Sequence, residues 1–258
     1  MLSGVDLDAE SGSVVVVAGA DGAGKTTLLR VLAGALEPAA GSVSRPDPRR
    51  IGYMPASSGV YPDLSVRENL EFTARVYGVT LPELTARVEP VLERVGLASA
   101  RDRPGGKLSG GMRHKLGLVM ATVHRPDLLI LDEPTTGVDP VSRTELARLL
   151  GRAAADGAAV VMATTYLDEA ERAASVLVLH EGRPLLRGTV DEILATVPGV
   201  LLRSPRRPAS SARWRRGGGW RLWNPEGDVP PGVEAVAPDL QDAVTVAALS
   251  AGRERVAA

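Results

Sequence analysis

The residues with the most definite chemistry lie between Gly19 and Thr27, in GADGAGKTT. Gly19 to Thr26 matches the spacing G-x-x-x-x-G-K-[ST] at every required position. Gly19, Gly22 and Gly24 open backbone conformations closed to other residues. With Ala20, Asp21 and Ala23 between them, successive N–H groups can converge on phosphate oxygens at a helix N-terminus. Lys25 is spaced to reach the β- and γ-phosphates of a nucleotide and Thr26 to bind Mg2+ through its hydroxyl, with Thr27 counted among the nucleotide-binding residues. A second chemical pair, Asp132 and Glu133, ends the apolar run LLILDEP. Asp132 would hold Mg2+ directly or through water, and Glu133 would polarise an attacking water as general base. A third feature, LSGGM, sets Ser109, Gly110 and Gly111 at a helix start, where they form a second small anion site. Each feature also has a plain structural reading: a ligand-free glycine turn, an acidic turn capping a sheet, and a helix cap.

Such groups need strands and helices to present them. Val14 to Val17 is a short β-branched run followed by the glycines and then by helical periodicity from Thr26 through Leu36, which reads as strand, loop, helix. Leu128 to Leu131 and Val160 to Met162 repeat the continuous apolar pattern of strands covered on both faces. Helices are expected over Ser109 to His124 and over Pro140 to Ala154, the latter with Asp139 as cap and Pro140 as first residue. The fold class is therefore α/β, a P-loop NTPase with a mostly parallel sheet. Between Pro62 and Gly106 there is no β-branched run, and a Ser65/Glu68 capping box opens a helical pattern, so a helical subdomain is inserted at about 62–125. A short helix is expected over Asp191 to Thr196, and the stretch RSPRRPASSARWRRGGGW after it reads as a boundary loop. The expected organisation is one domain over 1–198 and a linker with a small extension over 199–258.

The 258 residues are 44% hydrophobic and 24% charged with a net charge of −1, the balance of an ordinary globular protein that predicts no particular partner. No apolar run approaches the roughly 18 residues that span a bilayer, so membrane association must come from a partner. Zero cysteines suit a reducing cytoplasm.

A P-loop, LSGG, LDEP and a following VDP, in that order from about Val5 to Thr189, resemble the ATP-binding-cassette (ABC) ATPases. The run LSGGMRHKLGLVMATVHRPDLLILDEPTTGVDP is most similar to ATPase subunits paired with exporter-type permeases. The resemblance implies ATP and Mg2+ as ligands, a transmembrane permease subunit and a second nucleotide-binding domain as partners, and no nucleic acid. It implies a cytoplasmic protein held peripherally on the inner face of the cell membrane through the permease. Two domains of this family sandwich two ATPs, so Ser109, Gly110 and Gly111 would serve the partner's nucleotide.

Several positions depart from that family. Where a glutamine follows the proline and contacts Mg2+ and water, this chain has Ala56. Where a histidine contacts the γ-phosphate, it has Thr165. Alanine offers no side-chain donor or acceptor, and threonine is too short to copy the imidazole. Asp21 stands where the family often has asparagine, and no aromatic residue precedes Tyr53 to stack on adenine. The sequence therefore points to an ATP-binding subunit that couples ATP to export, with firm ATP binding and slow turnover at this chain's own site. The alternatives are a degenerate regulatory or structural cassette in a heterodimer and a non-transport ABC ATPase acting on nucleic acid. His114, His124 and His180 share no metal spacing, and Arg203 to Arg216 with Trp214, Trp220 and Trp223 reads as a solvated loop with a small apolar patch rather than a nucleic-acid surface.

Overall fold

The computed structural model describes residues 1–257. Its centre is a six-stranded sheet in the order β2-β3-β4-β1-β5-β6, from β1 (Val14–Ala18), β2 (Ile51–Met54), β3 (Leu128–Asp132), β4 (Ala159–Thr164), β5 (Ser175–His180) and β6 (Arg183–Gly188). The first five pair in parallel, and β6 returns antiparallel along the edge beside β5. Strands β3 and β4 are buried at every residue, as strands covered on both faces must be. On one face, helix α1 (Lys25–Leu32) packs Leu28 and Leu29 against Val17, Ile130, Val161 and Leu177. On the other, α4 (Gly110–Thr122) and α5 (Pro140–Ala155) set Leu118, Leu146 and Leu150 against Val16, Leu131 and Met162.

Two helices, α2 (Val66–Val76) and α3 (Leu81–Arg94), share a separate core with α4, built on Leu70, Leu92, Leu97 and Leu116. Both open with capping boxes, Ser65 with Glu68 and Thr80 with Glu83, each satisfying two backbone donors that the helix leaves open. Short helices α6 (Leu167–Ala170) and α7 (Val190–Ala195) follow β4 and β6.

Two expectations are corrected. Helix α1 stops at Leu32 rather than Leu36, because Gly34 turns left-handed (φ +76°) and redirects the chain. The Arg/Trp-rich stretch is no simple loop. It supplies β8 (Arg213–Arg216) and β9 (Gly219–Asn224), which join β7 (Val200–Ser204) and β10 (Glu234–Ala235) in an antiparallel sheet ordered β10-β7-β9-β8. Arg216 pairs with Gly219, so Gly217 and Gly218 form the two-residue connection, with Gly217 at φ +55° as such hairpins require. The final helix α8 (Leu240–Ala257) lies against this sheet. Its fully buried Asp242 collects Trp214 Nε1 at 3.3 Å and Arg216 Nη1 at 3.0 Å, so the arginines and the indole face an internal carboxylate rather than water alone. No described helix is long and apolar enough to cross a membrane.

Candidate nucleotide-binding site

The parallel pairing of β1, β3 and β4 brings three loops to one edge of the sheet, at the carboxyl ends of the strands where open α/β sheets take ligands. The first runs from Gly19 to Gly24. Gly22 (φ +77°) and Gly24 (φ +104°) are left-handed, and Gly24 caps α1 without a side-chain hydrogen bond. A Cβ on Gly19 would stand 2.5 Å from the Leu179 carbonyl oxygen, so glycine is required there by close approach to β5. Ala20, Asp21 and Gly22 are exposed along this loop and Ala23 is buried beneath it, while Thr27 faces outward on the first turn of α1. No acidic residue occupies that first turn, leaving the helix N-terminus free to favour an anion.

Lys25 is only 6% exposed and folds back over the loop, its ammonium donating to the Gly19 carbonyl at 2.8 Å and the Ala20 carbonyl at 3.2 Å. The same ammonium lies 3.1 Å from Glu133 Oε1. Residues expected together from sequence, Lys25 and Glu133, are thus in direct contact.

Asp132 ends β3 and is almost wholly buried. Burial pushes its carboxyl above the usual carboxylate range, with the neighbouring Glu133 pushing the same way and the Thr26 hydroxyl, Lys25 and Arg30 pulling it down. Its Oδ1 is buried with no hydrogen-bond partner among the described residues. An orphaned carboxylate oxygen beside a threonine hydroxyl is a hard-oxygen donor set that fits Mg2+. Arg30 and Tyr53 were not singled out from sequence. Arg30 lies one helical turn after Thr26, so the spacing i, i+4 was the available signal that both face Asp132. The Tyr53 phenol, pushed up first by burial and then by Asp132, completes this backing on β2.

Two further positions, on either side of β3, are barer. Ala56 lies exposed just beyond β2, whose last residue Met54 pairs with Leu131, so the position adjoins the Asp132 end of β3. Its turn is anchored: the Ser58 N–H donates to the Pro55 carbonyl at 2.8 Å, Ser58 is left-handed (φ +71°), and a Cβ on Gly117 of α4 would collide with the Ser58 carbonyl. Thr165 is exposed after β4 and presents its backbone N–H to Glu133 Oε2 at 3.3 Å. Its neighbours are pinned, Thr164 Oγ1 accepting from the Tyr166 N–H at 3.0 Å and the Arg143 guanidinium stacking 4.1 Å from the Tyr166 ring centroid. Ala56 has no polar side-chain atom, and the contact Thr165 makes with Glu133 is through its backbone.

The LSGGM segment stands apart from the cradle. Ser109 is exposed and caps α4, accepting from the Met112 N–H at 3.2 Å. Gly110 and Gly111 adjoin the turn after β3, where added Cβ atoms would lie 3.8 Å from the Gly137 carbonyl and from Asp139 Oδ2. Asp139 caps α5 through the Val141 and Ser142 N–H groups.

A family model described as ABC transporter matches residues 2–136. This chain belongs to the ABC transporter family. Among relatives of this ABC chain, the probable multidrug ABC transporter ATP-binding protein YbhF of Escherichia coli strain K12 is 41% identical over 213 residues, covering 78% of this chain and 37% of that protein. The Nod factor export ATP-binding protein I of Burkholderia thailandensis is 39% identical over 199 residues, covering 73% of this chain and 66% of that protein. The chain therefore spans well under half of the first relative's length and about two thirds of the second's. A solved structure described as the ATP binding subunit of an ABC transporter superimposes with TM-score 0.70 at 31% identity, covering 75% of this chain and 85% of that one. The ABC chain accordingly has the α/β P-loop NTPase fold of that family's cassettes.

Proposed function

We propose that this ABC-family chain is the ATP-binding subunit of an exporter-type transporter, working with a separate membrane permease and a second nucleotide-binding domain, and that it binds ATP firmly while hydrolysing it slowly. The observation that carries this reading is the asymmetry of the site. Gly19 to Thr26, Asp132 and Glu133 converge at the sheet edge, while Ala56 has no polar side-chain atom and Thr165 meets Glu133 through its backbone N–H. The cassette corresponds to 1–198, with the helical unit at about 62–125 inserted, and 199–258 is an appended module.

In this proposal the main-chain N–H groups of Gly19 to Gly24 and the start of α1 hold phosphate oxygens, and Lys25 neutralises them. Thr26 and the Asp132 oxygen left without a partner hold Mg2+, which when bound offsets charge on the phosphates. Glu133 accepts a proton from the attacking water. Removing one preorganised transition-state contact costs on the order of 10² to 10³ in rate, about 3 to 4 kcal/mol. Two such losses, at 56 and 165, leave binding intact and make turnover slow. Ser109, Gly110 and Gly111, outside this chain's own cradle, complete a site on the partner domain. The Nod factor export relative favours export over import.

Reconstitution with a permease and second cassette tests the reading. ATP-dependent substrate efflux from cells or accumulation in inverted vesicles is expected. Turnover stimulated by nucleic acid and indifferent to any permease would replace transport with a nucleic-acid role.

A further inference from the structure

Glu133 stands in a left-handed conformation (φ +50°) that non-glycine residues adopt only when neighbours hold them there. Its carboxylate is held from both sides. Oε1 meets Lys25, while Oε2 accepts from the Thr136 hydroxyl at 2.9 Å and from the Thr165 N–H at 3.3 Å. Thr136 is itself fixed on the same turn, its N–H donating to the Glu133 carbonyl at 3.2 Å. An ammonium has three protons to donate, and Lys25 spends them on three acceptors: the Gly19 carbonyl, the Ala20 carbonyl and Glu133. A phosphate that engages Lys25 must displace one of these. Two are main-chain carbonyls of the cradle itself, and only Glu133 reaches the ammonium on a movable side chain.

We propose that Thr136 is a positioning residue that holds Glu133 across Lys25, so that nucleotide phosphate and Glu133 compete for one ammonium and phosphate binding releases Glu133. This rests on the reading of Gly19 to Thr27 as an ATP cradle. Its consequence is specific to Thr136: deleting the hydroxyl loosens Glu133 and lowers what phosphate must displace, so ATP binds more tightly.

The experiment is a titration of the full chain with a fluorescent ATP analogue in Mg2+, in wild type, Thr136→Val, Thr136→Ser, Glu133→Gln and the Thr136→Val/Glu133→Gln double variant. Hydrogen bonds to charged groups set the scale, and Thr136→Val is expected to tighten binding about three- to tenfold. Thr136→Ser keeps the hydroxyl and should match wild type. Glu133→Gln should tighten binding, and Thr136→Val should then add less than about 1.5-fold, because the two changes act through one contact. A Thr136→Val affinity within about 1.5-fold of wild type, or the same shift with and without Glu133→Gln, overturns the proposal. Wild type that binds no nucleotide overturns the cradle reading itself, which is a different result from binding without coupling.

Discussion

At the ends of β1 and β3, Lys25, Thr26, Asp132 and Glu133 crowd the site; Ala56 and Thr165 follow β2 and β4 on either side of β3, and what Thr165 brings to Glu133 is a backbone N–H. The two sets differ in what they ask of the sequence. In the proposed reading the cradle works through glycine conformation and main-chain N–H groups, with one cation. The two bare positions each need one particular side chain, and a single substitution removes that chemistry while leaving the backbone in place. On that reading a cassette keeps its grip on ATP while losing its means of cleaving it.

The largest expected effect breaks the cradle. Lys25→Met keeps the buried stem of the side chain but removes the cation and leaves Glu133 facing the phosphates unopposed. ATP affinity, measured by titration calorimetry, should fall about 100-fold, the scale of charged hydrogen bonds lost together with added repulsion.

Refurnishing the two bare positions sharpens the comparison. Ala56→Gln combined with Thr165→His should raise phosphate release about tenfold at saturating ATP, part of the 10² to 10³ that one such contact can supply. Affinity should change less than about twofold, since ground-state binding rests on the cradle.

The smallest effect lies where the helical unit meets β2. His124 stacks on Tyr77 with ring centroids 3.6 Å apart, and its Nε2 lies 3.2 Å from the Ile51 carbonyl. Burial lowers the His124 imidazole below its ordinary value, against the Ile51 hydrogen bond, and Arg87 lowers it further. A depressed histidine contributes stability that is complete above the unfolded value of about 6.5 and is lost as pH falls through the lower folded value. His124→Phe keeps a ring on Tyr77, so the difference in urea midpoint between about pH 7.5 and about pH 5.5 should shrink relative to wild type.

Much of this was legible in the sequence because the signals were local. VVVV, LLIL and VVM announce strands covered on both faces, and GADGAGKT carries its function in its own spacing. The appended sheet was harder to see. Its strands mix arginine with tryptophan, and Trp214, Arg216 and Arg221 gather on the buried Asp242 of α8, 20 or more residues away in sequence. The Gly217–Gly218 pair between those alternations was the overlooked hairpin signal. Thr136 escaped notice because a threonine in a turn signals nothing until its hydroxyl is seen on Glu133. The Lys25 to Glu133 contact joins residues 108 positions apart, which only the parallel register of β1, β4 and β3 brings together.

Steady-state ATP turnover by the full chain, assembled with its permease and second cassette and with the partner's own base inactivated, tests the central claim most directly. Typical enzymes turn over at about 1 to 10³ per second. With two transition-state contacts missing, the account predicts less than about 0.1 per second at saturating ATP. Turnover in the ordinary range that disappears in Glu133→Gln would contradict it, showing that the site cleaves ATP without the side chains that Ala56 and Thr165 replace.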